Sequence, residues 1–309
     1  MDIFTQQLIN GLVLGSIYAL VALGYTMVYG ILELINFAHG EVTMFGAMIS
    51  LAVIGALVAN GTETHGLLIV AFGLLAAISV CMVMGFLIER VAYRPLRRAP
   101  RLAALITAIG MSIVLQNSAM LIWGKQYITF PPLLPLTRYE VGGAVITNLQ
   151  IFIVLLSCLL MAGLLVLIRQ TRLGRAMRAT AQAQDIAGLM GINVNTIISI
   201  TFVIGAALAA VAGVMVSAYY GLAHYFMGFM LGLKAFTAAV LGGIGNIAGA
   251  MLGGLLLGLI ESFGAGYIGT LTGGFLGSHY QDVFAFFVLI LVLVIRPSGL
   301  LGERVVERA

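Results

Sequence analysis

The chain has 309 residues, 61% hydrophobic and only 8% charged, against roughly 25% charged in a soluble domain. A water-soluble fold is excluded. The formal net charge of +4 comes from arginines gathered in short segments, so it bears on membrane orientation and excludes a nucleic-acid surface. Glycine, at 39 residues beside only 6 prolines, suits transmembrane helices packed through small residues and not collagen.

A helix needs about 20 apolar residues to cross a hydrocarbon core of about 30 Å. The first apolar run follows only Asp2, lacks a basic leader and exceeds signal-peptide length, so it is predicted to be a retained span. Uncharged runs at 8–32, 42–62, 66–88, 102–124, 141–168 and 192–223 meet the spanning length. Cys81 and Cys158 lie inside such runs, where no disulfide or metal framework is predicted. Residues 235–260 are also long enough but carry Gly242, Gly243, Gly245, Asn246 and Gly249, which predicts a broken or re-entrant segment between Gly242 and Gly249. The run at 283–295 spans only by recruiting the turn around His279 and Gln281. The predicted fold class is an all-α polytopic membrane protein with about eight transmembrane helices in one domain, residues 1–309.

Three arginine groups are predicted to be cytoplasmic: Arg90, Arg94, Arg97, Arg98 and Arg101; Arg169, Arg172, Arg175 and Arg178; and Arg296, Arg304 and Arg308. The loop at 125–148, with Lys125, Arg138, Pro131, Pro132, Pro135 and the preceding Trp123, is predicted outside. A single crossing by 235–260 would leave the tail arginines outside. Either that region returns on itself, or an earlier span is misassigned.

Catalytic chemistry has no foothold. No GxxxxGK[ST] occurs, and Gly243 to Ala248 fits a dinucleotide fingerprint formally but without a preceding strand or a following acid. His39-Gly-Glu41 has no paired cysteines downstream. No catalytic residue, metal or cofactor is predicted. The polar stretch holding Glu33, Asn36, His39 and Glu41 between two spans reads either as a hydrated turn or as a substrate-path element. Gly245, Gly249 and Gly253, with Ala250, Gly254 and Gly258 beside them, form two small-residue packing tracks. In 174–191, Ala179, Ala183, Ile186, Ala187 and Met190 share one face of a 3.6-residue helix, flanked by Arg178, Gln182 and Asp185. That helix suits the membrane surface or a protein cleft equally.

Five blocks taken together, "YALVALGYTMVYGILELINFAHGEVTMFGA", "ERVAYRPLR", "ALITAIGMSIVLQN", "GRAMRATAQAQDIAGLMGINV" and "KAFTAAVLGGIGNIAGAMLGG", resemble the H-type permease of bacterial branched-chain amino-acid ABC importers. The resemblance implies a non-catalytic permease domain in the bacterial inner membrane. Its implied partners are a second homologous permease subunit, two cytoplasmic ATPase subunits and a periplasmic substrate-binding protein. It also implies a cytoplasmic coupling segment at 169–193, in which the family pattern falls on Ala181, Asp185, Leu189 and Gly191, accompanied by Arg175, Arg178 and Ala187. Gln182-Ala-Gln184 stands where relatives often carry an acid. For a zwitterionic cargo, the expected path residues are Asn36, His39 and Glu41 in the first half and Lys234, Thr237 and Asn246 in the second, with Lys234 either meeting a carboxylate or snorkelling to the headgroups. An importer for urea, short amides or other amino acids would share these motifs. A secondary transporter would need no ATPase and fits less well.

Overall fold

The computed structural model describes residues 2–60, 66–97, 99–131, 133, 137–273, 275 and 280–302. Arg98, Pro132, Pro135, His279, Arg304 and Arg308 lie outside them. Among the described residues the helices are α1 (Asp2–Leu32), α2 (His39–Ala59), α3 (Gly66–Ile88), α4 (Arg101–Trp123), α5 (Asn148–Gln170), α6 (Arg172–Gln182), α7 (Gln184–Leu189), α8 (Val194–Tyr220), α9 (Met227–Gly242), α10 (Ile247–Leu271) and α11 (Gln281–Ile295). Seven are long and apolar enough to cross a membrane, and α9 and α11 are shorter apolar helices. Four short strands complete the list: β1 (Ile128–Thr129), β2 (Arg138–Val141), β3 (Ala144–Thr147) and β4 (Leu222–Ala223), pairing antiparallel as β1 with β4 and β2 with β3.

Two compact units result. One comprises Met27–Pro135 and Ala162–Leu233, built around α2, α3 and α8. Its helices meet through small residues: a Cβ on Gly46 would stand 2.6 Å from Ala210 Cα, and one on Gly85 2.6 Å from Ala206 Cβ. With no hydrophobic drive between helices in lipid, such close backbone contact is the main source of association. Past its end α3 widens into a π turn at Glu89–Tyr93 and then tightens into a 3-10 turn at Arg94–Leu96, where Pro95 removes a donor and ends the helix.

The other unit comprises Met1–Thr26, Leu136–Met161 and Lys234–Ala309. Here α1 lies against α10: a Cβ on Gly11 would stand 2.9 Å from Leu259 Cα, and one on Gly15 2.8 Å from Leu255 Cα. The Gly254 and Gly258 track of α10 thus faces a helix that carries glycines of its own, while Gly249 and Gly253 meet α9 at Gly242 and Ala238. Gly15→Val should overpack this seam at a cost of about 1–3 kcal/mol, read as a lower thermal midpoint of the detergent-purified protein. An unchanged midpoint would mean the helices meet elsewhere.

Two expectations change, and the expected break between Gly242 and Gly249 is found. The span expected at 141–168 begins only at Asn148, because residues 138–147 form a hairpin whose tip, Gly142-Gly143, holds φ of 58° and 81°. Positive φ at both central positions is what the two-residue hairpin turn requires. The single helix expected over 174–191 is two, broken at Ala183, whose φ of −159° and ψ of 102° are extended. The span expected at 235–260 is split into α9 and α10. Gly243 and Gly245 turn the chain at φ of 106° and 91°, and the Asn246 side chain caps α10 by accepting from Gly249 N at 3.0 Å.

That split removes the conflict that a single crossing raised. Counting α9 and α10 as two crossings puts the loop after α3, the segment after α5 and the tail after α11 on one side. Two local contacts agree. Leu300 N and Leu301 N, beyond α11, donate to Leu241 O and Gly242 O at the α9 turn, each at 2.9 Å. Gln184, beyond α5, donates to the Ile31 carbonyl at the end of α1, also at 2.9 Å.

Candidate functional site

The polar turn between α1 and α2 is folded inward. Glu33 takes a positive φ of 53° where α1 stops. The Tyr93 hydroxyl, on the π turn after α3, donates to Asn36 Oδ1 at 3.1 Å, and Asn36 O accepts from His39 N at 3.0 Å. Asn36, His39 and Glu41 are all buried, so the hydrated-turn reading gives way to a polar group inside the protein. Glu41 accepts from the Ser112 hydroxyl of α4 at 3.1 Å. Gly40 makes the closeness possible, since a Cβ there would stand 2.7 Å from Gly232 Cα.

In the other unit Lys234 sits within a charged cluster. Its Nζ lies 2.7 Å from Glu261 Oε1 of α10 and 2.8 Å from Asp282 Oδ1 of α11. It also donates to the Tyr18 hydroxyl of α1 at 3.4 Å and stands 5.7 Å from that ring's centroid, a cation–π distance. The lysine is therefore ion-paired inside the unit and does not snorkel. Thr237 is buried on the same helix. Asn246, besides capping α10, donates to the Leu301 carbonyl at 2.8 Å.

The segment after α5 is fastened at both ends. Thr171 caps α6 by accepting from Gly174 N at 3.0 Å, and the Arg178 guanidinium donates to the Ile168 carbonyl. Downstream, the Asn193 side chain caps α8 by accepting from Thr196 N at 3.2 Å. The break at Ala183 turns α7 so that Ala187 is buried, while Ile186, Leu189 and Met190 are 63%, 87% and 79% exposed. Arg175, Arg178, Ala181, Asp185 and Gly191 are exposed beside them. Of the face that periodicity predicts, Ile186 and Met190 are outward and Ala187 is not, and Leu189, which lies off that face, is outward with them.

Near the start of α8, Glu89 is fully buried and ion-paired with Arg97, and it accepts from the Ser199 hydroxyl at 2.6 Å. Arg97 donates in turn to Asn195 Oδ1 at 2.6 Å. Burial holds the Arg97 guanidinium below its ordinary pKa, against the opposing pull of Glu89.

A family model described as the permease component of branched-chain amino acid transport systems matches residues 7–293. The chain belongs to this permease family. It is 50% identical to the high-affinity branched-chain amino acid transport system permease protein LivH of Escherichia coli (strain K12), over 99% of this chain and 97% of that protein. It is 51% identical to the high-affinity branched-chain amino acid transport system permease protein BraD of Pseudomonas aeruginosa, over 99% and 98% respectively.

Several residues of the permease site escape a sequence reading. Glu261 lies one residue beyond the run assigned as a span, and nothing in its local spacing points to Lys234, 27 positions earlier. Ser112 reads as one small residue in an apolar run. Tyr18 looks like core, and Ser199 and Asn195 like an ordinary helix start. The one usable signal is an ionisable residue next to hydrocarbon, which calls for a named partner.

Proposed function

We propose that this permease is the membrane-spanning subunit of an ATP-driven importer of the bacterial inner membrane, carrying branched-chain amino acids delivered by a periplasmic binding protein. It works with a second homologous permease and with two cytoplasmic ATPases that hydrolyse the ATP, and this chain itself supplies no catalytic residue. The observation that carries the reading is the near full-length likeness to LivH and BraD, whose names give that cargo.

Residues 1–309 are read as one permease domain, with 169–193 as the coupling segment. The exposed knuckle of Ile186, Leu189 and Met190 supports docking in an ATPase cleft, flanked by Arg175, Arg178, Ala181, Asp185 and Gly191. As cargo-path residues we place Asn36, His39, Glu41 and Thr237. Lys234 and Asn246 contribute to it through what they hold, the ion cluster and the α10 cap.

The deciding experiment reconstitutes the complete complex in proteoliposomes and follows labelled leucine, isoleucine, valine and urea. ATP-dependent uptake of the three amino acids, with urea at background, is the expected result. Uptake of urea without any of the three would replace this reading with an amide importer.

A further inference from the structure

Glu41 stands out among the polar groups of its unit. It is 1% exposed, and Ser112 occupies only one of its carboxylate oxygens. The other, Oε2, is buried with no hydrogen-bond partner among the described residues. The group also sits against the middle of a helix long enough to span. Ser112 is the midpoint of α4. The neighbouring Val42 carbonyl meets the Cys81 thiol at 3.5 Å, seven residues before the end of α3, which is about 10 Å along that helix.

A buried carboxylate oxygen without a donor is expensive, and one in a membrane span marks a functional contact by default. The resident explanations are absent. The described ion pairs join Arg97 to Glu89 and Lys234 to Glu261 and Asp282, and none reaches Glu41. Among the described residues no group of three metal-ligating side chains exists. Gly228 in the first turn of α9 closes directly over the orphan oxygen, since a Cβ there would stand 2.5 Å from Oε2.

We infer that Glu41 Oε2 receives the primary ammonium group of the amino acid in transit. The inference rests on the importer reading above and goes beyond it by assigning the atom that recognises the cargo's charge. Ser112 orients the carboxylate through Oε1, leaving Oε2 for a compact cation with several donors, and the transient charge-assisted bond is strong without being permanent. Access requires the first turn of α9 to withdraw from Oε2, and Gly228 keeps the contact to be broken small.

The test uses the complete complex in proteoliposomes, with labelled leucine and ATP hydrolysis measured together. Glu41→Gln keeps the shape and loses the charge, so leucine moved per ATP hydrolysed should fall at least about tenfold, the change brought by losing one charge-assisted hydrogen bond. Glu41→Asp should retain part of it. A packing role would lower both rates together and leave the ratio unchanged, which overturns the inference, as does wild-type uptake in Glu41→Gln. Internal acidification accompanying leucine uptake in the wild type, absent in Glu41→Gln, would make Oε2 a proton site and overturn it too. Should Glu41→Gln not assemble, Ser112→Ala reads the same site: a lower ratio supports the assignment, and an unchanged one removes it. If the wild-type complex moves none of the three amino acids, it is the importer reading that fails.

Discussion

Lys234→Met should destabilise the protein by about 3–5 kcal/mol, the cost of leaving a buried charge unpaired. Glu261 lies fourteen residues past Ile247 in α10, about 21 Å along the helix, and Asp282 thirteen residues before Ile295 in α11, about 20 Å along it. Glu261 thus lies near the middle of α10 and Asp282 in the first turn of α11, and Lys234 is the cation that holds them. Removing it strands Glu261, whose side chain is 1% exposed, without its cation. Lys234→Gln should behave similarly, whereas Lys234→Met combined with Glu261→Gln and Asp282→Asn should recover most of the loss, since a neutral, filled cluster can match a buried ion pair. Thermal unfolding in detergent, run as a mutant cycle, separates these cases. A single Lys234→Met with a wild-type midpoint would show that the cluster contributes nothing.

Leu189→Asp should cripple transport while sparing the fold. The side chain is 87% exposed, so the substitution costs the isolated permease within about 0.5 kcal/mol. In a docked cleft the same residue is an apolar anchor, and burying a carboxylate in its place should cost at least about 2 kcal/mol, a loss of roughly thirtyfold in association. Co-purification of the ATPases and uptake should fall together. Normal uptake by Leu189→Asp would mean that α7 is not the contact.

Both substitutions touch features that a sequence reveals unequally. Charge-free runs give the spans directly, because chain length against bilayer thickness leaves little freedom. Gly243, Gly245 and Asn246 announce the break between α9 and α10, since only such residues turn and cap a chain there. Periodicity misleads where one residue leaves the helix: Ala183 keeps the spacing of Ala179 and Ala187 on paper, yet its extended backbone redirects α7, so that Ala187 is buried and Leu189 joins Ile186 and Met190 outside. The hairpin at 138–147 is hidden for a related reason, as Val141, Val145 and Ile146 are equally at home in a span. Glu261 with Lys234, and Glu41 with Ser112, are partnerships across 27 and 71 positions, and no local pattern encodes them.

The hydrogen bonds that sew residues 300 and 301 to the end of α9 have a consequence for biogenesis. The unit they close is assembled from three separated stretches, Met1–Thr26, Leu136–Met161 and Lys234–Ala309. Translation delivers α1 first and the stretch that completes its surroundings last. In the interval the glycine face of α1 has neither α10 to pack on nor Lys234 to meet at Tyr18, so the nascent helix waits in lipid with that seam open. Long-range closure of this kind is slow and leaves unfinished surfaces exposed. The glycine seam can therefore close only once the chain is released through α10, although Gln6 and Asn10 meet Val145 and Gln150 earlier, and quality control has that window in which to recognise the unfinished protein.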